Sequence, residues 1–460
     1  MRYIAALLEF SSCPYSMGEA IWIVSCAAGT VSSRENNDGT RRTAWLGSFP
    51  VHSQFDHSKG TQMSLCSEPC APNSEAGSPQ KSICFVVSSP LTLKFFFVDQ
   101  IAALSRVYRL TCIANCGDPA WLRQRGILVP LLDVRIQRGP SLRHDLWALW
   151  VLQRHFRRNR VDVVHSNTPK AGLLAMIAAV VARVPVRIHT FTGQLWANRP
   201  GLWGTILKAM DTCIAAMATH ILVDSESQRA FLLREGVMSA GKSRVLGHGS
   251  ISGVDIGRFR PNEQVRAEIR TNQNVPASAV VFLYVGRLKR DKGVLDLARA
   301  FSQLARIHEG SHLFIVGPDE DHLEAQIRQI CGHCISRVRL SGYTDNPELW
   351  LAACDVLCLP SYREGFGCTI IEAASVGLPA LGSRIYGITD AIDEGVTGLL
   401  HNPGDVSDVV GKMRILAEDE GLRRSLGCAA RERAHRYFAK EAVTAALLEF
   451  YARTVGTAAG

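Results

Sequence analysis

The sequence predicts an α/β fold with two doubly wound parallel sheets, each forming a domain of its own. Three observations favour this class. Apolar runs of strand length alternate with helical runs over 81–255, and the alternation restarts over 256–440. The strand runs are apolar throughout, which is typical of parallel strands covered by helices on both faces. The length of 460 residues fits two domains better than a single core.

The individual elements follow from these runs. In the first domain they are the strand ICFVVSS (83–89), the helix LKFFFVDQIAALSR, the strand RLTCIAN, the helix HDLWALWVLQRHFRRNR (144–160), the strand VDVVHSN, the helix KAGLLAMIAAVVARV and the strand VRIHTFTG. In the second they are the strand VVFLYVGRL, the helix GVLDLARAFSQLAR, the strand HLFIVGP and the helix EAQIRQICG, followed by VRLSGYT, PELWLAACD and VLCLPSY. The carboxyl ends of the two sheets are expected to face a central cleft, where ligands of open α/β sheets bind.

The two ends of the chain are predicted to differ from these domains. Residues 1–80 are rich in Ser, Pro, Asn and Gly without a sustained period, so we expect a poorly structured extension. A start site assigned too far upstream would explain the same composition. Residues 441–460 are predicted to form a helix that packs back on the N-terminal domain.

The positive charge of the chain is concentrated in one block. Residues 81–255 hold 22 basic and 10 acidic side chains, a net charge of +12, whereas the whole chain carries +9. This block is expected to meet a phosphate-bearing substrate, a membrane surface or nucleic acid, or to be a basic surface in solvent. The helix 144–160 combines Trp147 and Trp150 with four arginines, which favours anionic lipid headgroups. We expect no nucleic-acid partner, because no recognition motif is present.

Membrane crossing and disulfide formation are not expected. The longest apolar run, 171–182, ends at Arg183, short of the roughly 20 residues that a span needs. The 14 cysteines are scattered, and several, such as Cys84 and Cys358, lie inside apolar runs. Free buried thiols in a reducing compartment are therefore predicted, which favours the cytoplasm.

The stretch PSYREGFGCTIIEAASVGLPALG (360–382) carries most of the predicted chemistry. Glu364 and Glu372 stand eight positions apart, and Gly365 and Gly367 follow the first of them. We expect a turn at a helix N-terminus, where free N–H groups and the helix dipole bind phosphate. Eight helical residues would separate the carboxylates by about 12 Å. That spacing suits a ligand with hydroxyls at both ends, such as a sugar nucleotide; two unrelated surface glutamates are the alternative.

A second motif, VGRLKRDKG, places Arg287 and Lys292 just after a predicted strand. Two fixed cations there would neutralise a leaving diphosphate without a metal. Asp319 and Asp321 spell D-x-D, a pattern with which transferases of another fold bind a divalent ion. Because the predicted domain already has cations for the diphosphate, we expect no metal here.

Together these motifs resemble the retaining glycosyltransferases of family 4, which have the two-domain GT-B fold. The resemblance covers about 82–455. It is carried by GRLKRDKG, GYTDNPELWLAACDVLCLPSYREGFGCTIIEAASVGLPAL and EGVTGLL in the second domain, and by VVHSNTPKAGLLA and RIHTFTGQLW in the first. The first-domain segments are similar to those of enzymes that act on bacterial surface or lipid-linked glycans.

The resemblance implies roles for the long motif. Glu364 would contact the donor sugar, and the backbone N–H groups around Gly365, Phe366 and Gly367 would hold sugar or phosphate. Glu372 would bind the ribose hydroxyls of the nucleotide. These five positions, together with Arg287 and Lys292, form the donor-binding set that we expect in the second domain.

The resemblance also implies roles for charged and polar residues outside that motif. Arg287 and Lys292 would grip the diphosphate and stabilise it as it leaves. His189, in RIHTFTG, matches the family's N-domain histidine that faces the reacting sugar. Many relatives have a glycine-rich turn after the first strand, where this chain has Ser88 and Ser89. We expect these two serines on the acceptor side, and His165 to orient the same loop.

What the resemblance implies for function is a metal-independent, retaining hexosyl- or N-acetylhexosaminyltransferase without a cofactor. It would move a sugar from a nucleotide donor, expected to be UDP-linked, to a polyprenyl-linked glycan or polysaccharide in cell-surface glycan biosynthesis. Such an enzyme would be cytoplasmic and peripheral at the inner face of the plasma membrane, through the basic block 81–255. A sugar-nucleotide epimerase of the same fold is the alternative.

Overall fold

The computed structural model describes residues 80–456, apart from 116–119, 138 and 140. The prediction for residues 1–80 therefore lies, but for residue 80, outside the described residues. Within the described part, two α/β domains follow one another, and each is built on a sheet of parallel strands. The predicted α/β class with two doubly wound domains is confirmed.

The first domain contains one sheet. Its strands are β1 (Ser82–Val86), β2 (Arg109–Ala114), β3 (Leu131–Asp133), β4 (Val163–Asn167), β5 (Val186–Phe191), β6 (His220–Val223) and β7 (Ser243–Val245). Its helices are α1 (Pro90–Thr92), α2 (Val98–Leu104), α3 (Ala120–Gln124), α4 (Leu142–Arg158), α5 (Pro169–Val181), α6 (Leu202–Met217) and α7 (Glu226–Arg234). The strands lie in the order β3-β2-β1-β4-β5-β6-β7, and all pair in parallel.

The second domain repeats this plan. Its strands are β8 (Val280–Val285), β9 (Ser311–Val316), β10 (Val338–Leu340), β11 (Val356–Leu359), β12 (Ala380–Ser383) and β13 (Gly398–His401). Its helices are α8 (Glu263–Asn272), α9 (Val294–Ile307), α10 (Glu324–Ile330), α11 (Pro347–Ala353), α12 (Cys368–Val376), α13 (Ile388–Ala391), α14 (Val406–Glu418) and α15 (Glu420–Tyr437), followed by α16 (Lys440–Gly456). The strand order is β10-β9-β8-β11-β12-β13.

The central strands are buried on both faces, as their unbroken apolar runs predict. Every residue of β1, β4 and β9 is buried. Alternate residues of β1 belong to two separate cores: Cys84 faces Leu152 and Phe156 of α4, whereas Phe85 faces Phe97 and Ile101 on the other side. Side chains within such a strand are buried, so only the residues at its ends are accessible to a ligand.

The order of the strands determines where ligands can bind. In each sheet the order reverses beside the first strand, between β1 and β4 and between β8 and β11. The loops that leave the carboxyl ends of these neighbouring strands diverge to opposite faces and leave a crevice between them. Both motifs singled out in the second domain follow strands of this pair, β8 and β11.

The last helix, α16, packs on the first domain. Leu447, Phe450 and Tyr451 are buried in the core that contains the β1 side chains. The hydroxyl of Tyr451 lies 2.7 Å from Nδ1 of His165 in β4. The chain thus returns from the second domain to the first, and the contacts of α16 hold the two domains together.

Some elements differ from the sequence prediction. The predicted helix LKFFFVDQIAALSR is interrupted by a π turn at Leu93–Phe97, which precedes α2. The short elements β3 and α3 were not predicted, because runs of three to five residues carry little periodicity. No helix among the described residues is long and apolar enough to span a bilayer.

Candidate active site

Lys292 and Glu364 form the centre of the candidate site. Lys292 follows β8 and Glu364 follows β11, and these strands are paired in the sheet. Their carboxyl ends therefore carry the two side chains to one place, where Lys292 Nζ donates to Glu364 Oε1 at 2.6 Å. Ser361 Oγ donates to the same oxygen at 2.8 Å. Both charged side chains are at most 17% exposed, so solvent screens the pair weakly.

The start of α12 lies directly beside this pair. Gly367 is the residue before the helix, with a φ of +79° that favours glycine, and no described side chain caps the first turn. The first N–H groups of a helix have no partner within the helix, and its dipole is positive at that end. The structure therefore offers a lysine and a helix N-terminus to an anion at the same point.

The spacing predicted for the two glutamates is wrong. We expected eight helical residues between Glu364 and Glu372, but α12 begins only at Cys368. Glu364 lies in the loop before the helix because the left-handed Gly367 interrupts the backbone there. Glu372 is consequently one helical turn, not two, beyond the helix start.

Glu372 is partly buried, and burial raises the pKa of its carboxyl to about 7. It shares its surroundings with two other acids. The pKa of the Cys368 thiol is raised to about 12, chiefly by burial and then by the negative charges of Glu372, Asp224 and Glu364. Three acidic side chains and one lysine thus lie near the start of α12.

Arg287 lies on the same loop as Lys292 but makes a different contact. Its Nη1 is 3.2 Å from Glu320 Oε2, and the side chain is 48% exposed. An ion pair this exposed holds its members weakly, so the guanidinium is free to turn toward a phosphate. The hydroxyl of Tyr284 donates to Arg287 O at 2.7 Å and fixes the backbone of the loop.

Loops of the first domain contact the long motif, residues 360–382. Arg363 Nη1 donates to Gly193 O at 3.1 Å, and Asn198 Nδ2 donates to Tyr362 O at 2.6 Å. A Cβ atom added to Gly193 would lie only 3.1 Å from the backbone carbon of Glu364. The two domains are therefore in contact at the candidate site.

Asp224 is a buried acid of this interface that was not predicted from the sequence. It follows β6, is 4% exposed, and its Oδ2 lies 2.6 Å from the position that a Cβ on Gly365 would occupy. The neighbouring Ser225 Oγ donates to Gly365 O at 3.2 Å. Burial raises the pKa of the Asp224 carboxyl to about 8. The signal that could have found it is its place after a strand, but the short run HILV was not recognised as one.

The raised pKa of Asp224 predicts a pH-dependent stability. The folded protein keeps this carboxyl protonated up to about pH 8, whereas an unfolded chain releases the proton near pH 4. The contribution of Asp224 to the free energy of unfolding is therefore full below pH 4. It declines as the pH rises toward 8, because ionising the buried acid costs free energy. We expect calorimetry to show Asp224→Asn melting close to the wild-type temperature at pH 4 and several degrees above it at pH 9. The exposed Glu432→Gln is the control, and an Asp224→Asn shift that is equal at both pH values would contradict the prediction.

His189 is buried within the first domain. Its ring is 1% exposed, its Nδ1 is 2.8 Å from Ser166 Oγ, and it packs edge-on against Phe191 at 4.6 Å. A Cβ on Gly172 of α5 would approach the ring to 2.5 Å. Burial lowers the pKa of His189 to about 3, so the ring is neutral. The ring of His189 is thus a buried, neutral group between Ser166 of β4 and Gly172 of α5.

His165 is buried in the same way. It is 1% exposed, and its Nε2 lies 2.7 Å from Thr190 Oγ1, while its other nitrogen meets Tyr451. Burial, together with the charge of His189, lowers the pKa of His165 to about 3. Its ring packs at 4.5 Å against Phe85, in the strand that leads to the first loop. This packing connects His165 to the strand that precedes the loop of Ser88 and Ser89.

Ser88 and Ser89 lie in the loop that leaves β1. Ser88 Oγ is 3.0 Å from Thr168 Oγ1, at the start of α5. Ser89 Oγ accepts from Leu91 N at 3.3 Å and begins α1. Both serines are half-buried at the carboxyl edge of the first sheet, at the end of the domain that meets the long motif.

The acids of the D-x-D pattern have structural partners. Asp319 accepts hydrogen bonds from the backbone of Leu323 and Glu324 at 2.8 and 2.9 Å, at the start of α10. Asp321 accepts from Arg290 N at 2.9 Å and lies 3.1 Å from Lys289 Nζ. Both carboxylates therefore take part in contacts that shape the start of α10 and the loop after β8.

Two family models match the chain, one on each domain. Residues 98–249 match the glycosyl transferase 4-like domain. Residues 265–433 match the glycosyl transferases group 1. The matched segments contain the loops that meet at the candidate site.

Curated relatives match over both domains. The chain is 28% identical over 322 residues to the capsular polysaccharide biosynthesis glycosyltransferase CapM of Staphylococcus aureus, covering 69% of this chain and 83% of that protein. It is 26% identical over 302 residues to the UDP-Gal:alpha-D-GlcNAc-diphosphoundecaprenol alpha-1,3-galactosyltransferase of Escherichia coli, covering 65% of this chain and 76% of that one.

The solved structure of HepE from Anabaena, in complex with UDP and glucose, has the same fold. Its TM-score to this chain is 0.68 at 18% identity, with 81% of this chain and 100% of that chain covered. The architecture and the two domain matches define a GT-B protein. The chain belongs to the glycosyltransferases.

Proposed function

We propose that the chain transfers a sugar from a UDP-sugar to a lipid-linked or polysaccharide acceptor, with retention of configuration, in cell-surface glycan biosynthesis. The transferred group would be a hexose or an N-acetylhexosamine. The observation that carries the proposal is the 2.6 Å contact of Lys292 with Glu364 beside the uncapped start of α12. A cation, a helix N-terminus and a carboxylate at one point suit a sugar attached to a diphosphate.

The donor would lie along the start of α12. Lys292, with Arg287 turned inward, would bind the diphosphate, and the N–H groups around Gly365, Phe366 and Gly367 would share this charge. The ring of Phe366 is only 2% exposed, so its contribution is through the backbone. The fixed positive groups would stabilise the negative charge that develops on the leaving diphosphate.

The two glutamates would bind hydroxyls of the donor. Glu364 Oε1 is taken by Lys292 and Ser361, and no described residue hydrogen-bonds to Oε2, which would accept from a sugar hydroxyl. Glu372, one turn into α12, would bind the ribose. Its pKa of about 7 lets the carboxyl either accept or donate a hydrogen bond near neutral pH.

The acceptor would enter from the first domain. Ser88 and Ser89 lie at the carboxyl edge of its sheet and would contact the acceptor, with His165 supporting their loop from below. The acceptor hydroxyl would attack the anomeric carbon on the face from which the diphosphate departs. The bond from that carbon to the phosphate oxygen breaks, the new glycosidic bond forms, and the departing phosphate takes the proton. His189 would act only indirectly, through Ser166 in β4.

Its relatives support the acceptor class. The similar proteins of Staphylococcus aureus and Escherichia coli are described as a capsular polysaccharide biosynthesis enzyme and a galactosyltransferase for a diphosphoundecaprenol-linked sugar. Work on such an acceptor would place this chain at the inner face of the plasma membrane, in the cytoplasm. The net charge of +12 on 81–255 suits an anionic membrane surface.

The proposal is tested by a donor panel. Purified protein is incubated with UDP-, GDP- and ADP-sugars and with lipid extracts of bacterial membranes, and products are identified by mass spectrometry and by the anomeric configuration in NMR. We expect transfer from one UDP-sugar, with retention and with an unchanged rate in EDTA, since Lys292 and the helix N-terminus replace a metal. Transfer that stops in EDTA, or an inverted product, would contradict the respective part of the proposal.

The alternative, a sugar-nucleotide epimerase, has no supporting observation, and neither curated relative named above is an epimerase. The two activities are separated by incubating labelled UDP-sugar without an acceptor. An epimerase would interconvert the sugars, whereas a transferase would at most hydrolyse the donor slowly. Accumulation of a second UDP-sugar would therefore favour the alternative.

A further inference from the structure

Asp211 is a buried acid of the first domain that the proposed reaction does not use. It lies in α6 and is 4% exposed. Trp196 Nε1 donates to Asp211 Oδ2 at 2.8 Å, and among the described residues only this indole hydrogen-bonds to the carboxyl. Burial raises the pKa of Asp211 to about 7, against the opposite effect of the indole N–H. Because burying an acid costs free energy unless it is hydrogen-bonded, the contact with Trp196 determines what Asp211 contributes.

The hydrogen bond fixes the ring of Trp196. The residue is 7% exposed, and its ring stacks on that of Phe231 in α7, with 5.3 Å between the ring centres and 21° between the planes. A buried indole N–H ordinarily has a partner, and here that partner is Asp211. Trp196 belongs to the segment 193–198, which we call the β5–α6 loop. The orientation of the ring therefore determines the position of this loop.

The β5–α6 loop contacts three consecutive residues of the long motif. Asn198 Nδ2 donates to Tyr362 O at 2.6 Å, and Arg363 Nη1 donates to Gly193 O at 3.1 Å. A Cβ atom on Gly193 would lie 3.1 Å from the backbone carbon of Glu364. The loop thus lies directly against the backbone that carries the Glu364 carboxylate, and a displacement of the loop would be transmitted to it.

Two other contacts extend this link within the second domain. The Arg363 guanidinium also pairs with Asp291 at 3.0 Å, in the loop that carries Lys292. The ring of Phe231 stacks on that of Tyr386, after β12, with 4.6 Å between the ring centres and 18° between the planes. The stack that begins at Trp196 therefore crosses from the first domain to the second. The β5–α6 loop and this stack together connect α6 to the candidate site.

We propose that Asp211 is a positioning residue for sugar transfer. Through its hydrogen bond to Trp196 it holds the β5–α6 loop against the backbone at Glu364, and so sets the position of the donor sugar relative to an acceptor on the first domain. It acts through Trp196 and not by contact with the substrates. The inference rests on the proposed function for the reaction, whereas the link from Asp211 to the loop is measurable without it.

The test compares Asp211→Leu with the wild type in transfer kinetics, UDP binding and amide hydrogen exchange. The variant leaves the indole N–H without its acceptor, so the segments 193–198 and 361–365 should exchange faster. We expect kcat to fall about tenfold, since small displacements at a reacting centre have effects of this size. The Kd for UDP should stay within about twofold, because the donor-binding groups belong to the second domain. Asp211→Asn offers the indole an amide oxygen and should recover most of the activity.

Further variants separate positioning from loss of stability. Trp196→Phe keeps an aromatic ring but removes the N–H donor, so it should lose a similar factor in kcat. The double variant Asp211→Leu/Trp196→Phe should lose no more than Trp196→Phe alone, because both changes break one contact. Leu152→Ala opens a cavity beneath α4 in the same domain. It should lower the melting temperature and leave kcat within about twofold of the wild type.

Four results would overturn the inference. They are transfer by Asp211→Leu at the wild-type rate, an equal loss in Asp211→Asn, a loss of UDP affinity that matches the loss of kcat, and an equal fall of kcat in Leu152→Ala. If the wild type transfers no sugar, the proposed function fails, but hydrogen exchange still decides whether Asp211 holds the loop. Unchanged exchange in Asp211→Leu would then overturn the inference, and faster exchange in both segments would support it.

Discussion

Lys292→Ala is expected to lower kcat of sugar transfer by about 10²–10³-fold while the protein remains folded, because the variant loses a fixed positive charge beside the leaving diphosphate. The Lys292 side chain is only 14% exposed, and its ammonium group donates to Glu364 Oε1 and, at 3.3 Å, to Arg363 O. Water in the vacated space would replace this charge poorly. Steady-state kinetics on the active donor measures the effect, and calorimetry with UDP shows how much of it is already present in binding.

The matched control is Lys289→Ala in the same loop. Lys289 pairs with Glu320 and Asp321, and its side chain is 30% exposed. We expect this variant to stay within about threefold of wild type, as for an exposed ion pair. Lys292→Arg keeps the charge but changes the shape of the donor group, so it should recover part of the activity. Equal losses for Lys289→Ala and Lys292→Ala would remove Lys292 from the catalytic machinery.

The sequence was sufficient to predict that Lys292 and Glu364 serve the same site, but not that they form an ion pair. Both follow apolar runs that could only be buried parallel strands, and side chains at the carboxyl ends of neighbouring parallel strands lie at one edge of the sheet. That reasoning needs only the strand periodicity and the order of the elements. The residue at which α12 begins could not be predicted in this way. It depends on the positive φ of Gly367, a conformation that glycine permits but does not require.

The burial of the two histidines follows from their places in the sheet. His165 and His189 lie within β4 and β5, and both strands are in the middle of a parallel sheet. Helices cover both faces of such a strand, so a side chain within it is buried whichever way it points. A histidine there is more readily accommodated as a neutral, hydrogen-bonded core residue, which is how both are found.

The contribution of the first domain to the interface could not have been predicted in this way. Asp224 and Gly193 follow β6 and β5, so they could be assigned to a sheet edge. That they touch Gly365 depends on how the two domains are packed together, which no local pattern encodes. The relative position of the two domains is determined by contacts between residues that are far apart in the sequence. The packing of α16 on the first domain is one of them.

Gly365→Ala is expected to reduce transfer by about 10²-fold by holding the two domains slightly apart, since a displacement near 1 Å at a reacting centre can have an effect of this size. The new Cβ would lie 2.6 Å from Asp224 Oδ2 and 2.9 Å from Gly193 N. The carboxylate can turn aside, but the backbone nitrogen cannot. Gly365 is not in the left-handed region, so alanine fits the local backbone and the clash between the domains is the cause.

Donor binding distinguishes this effect from damage to the donor site. The donor-binding groups belong to the second domain, so the Kd of Gly365→Ala for UDP should stay near the wild-type value while kcat falls. Gly193→Ala approaches the same contact from the first domain at 3.1 Å and should give a smaller loss of the same kind. Gly411→Ala, whose Cβ meets nothing within 4 Å, is the control. If the UDP affinity of Gly365→Ala falls in step with its kcat, the glycine is needed to hold the donor, and contact between the domains is not what limits transfer.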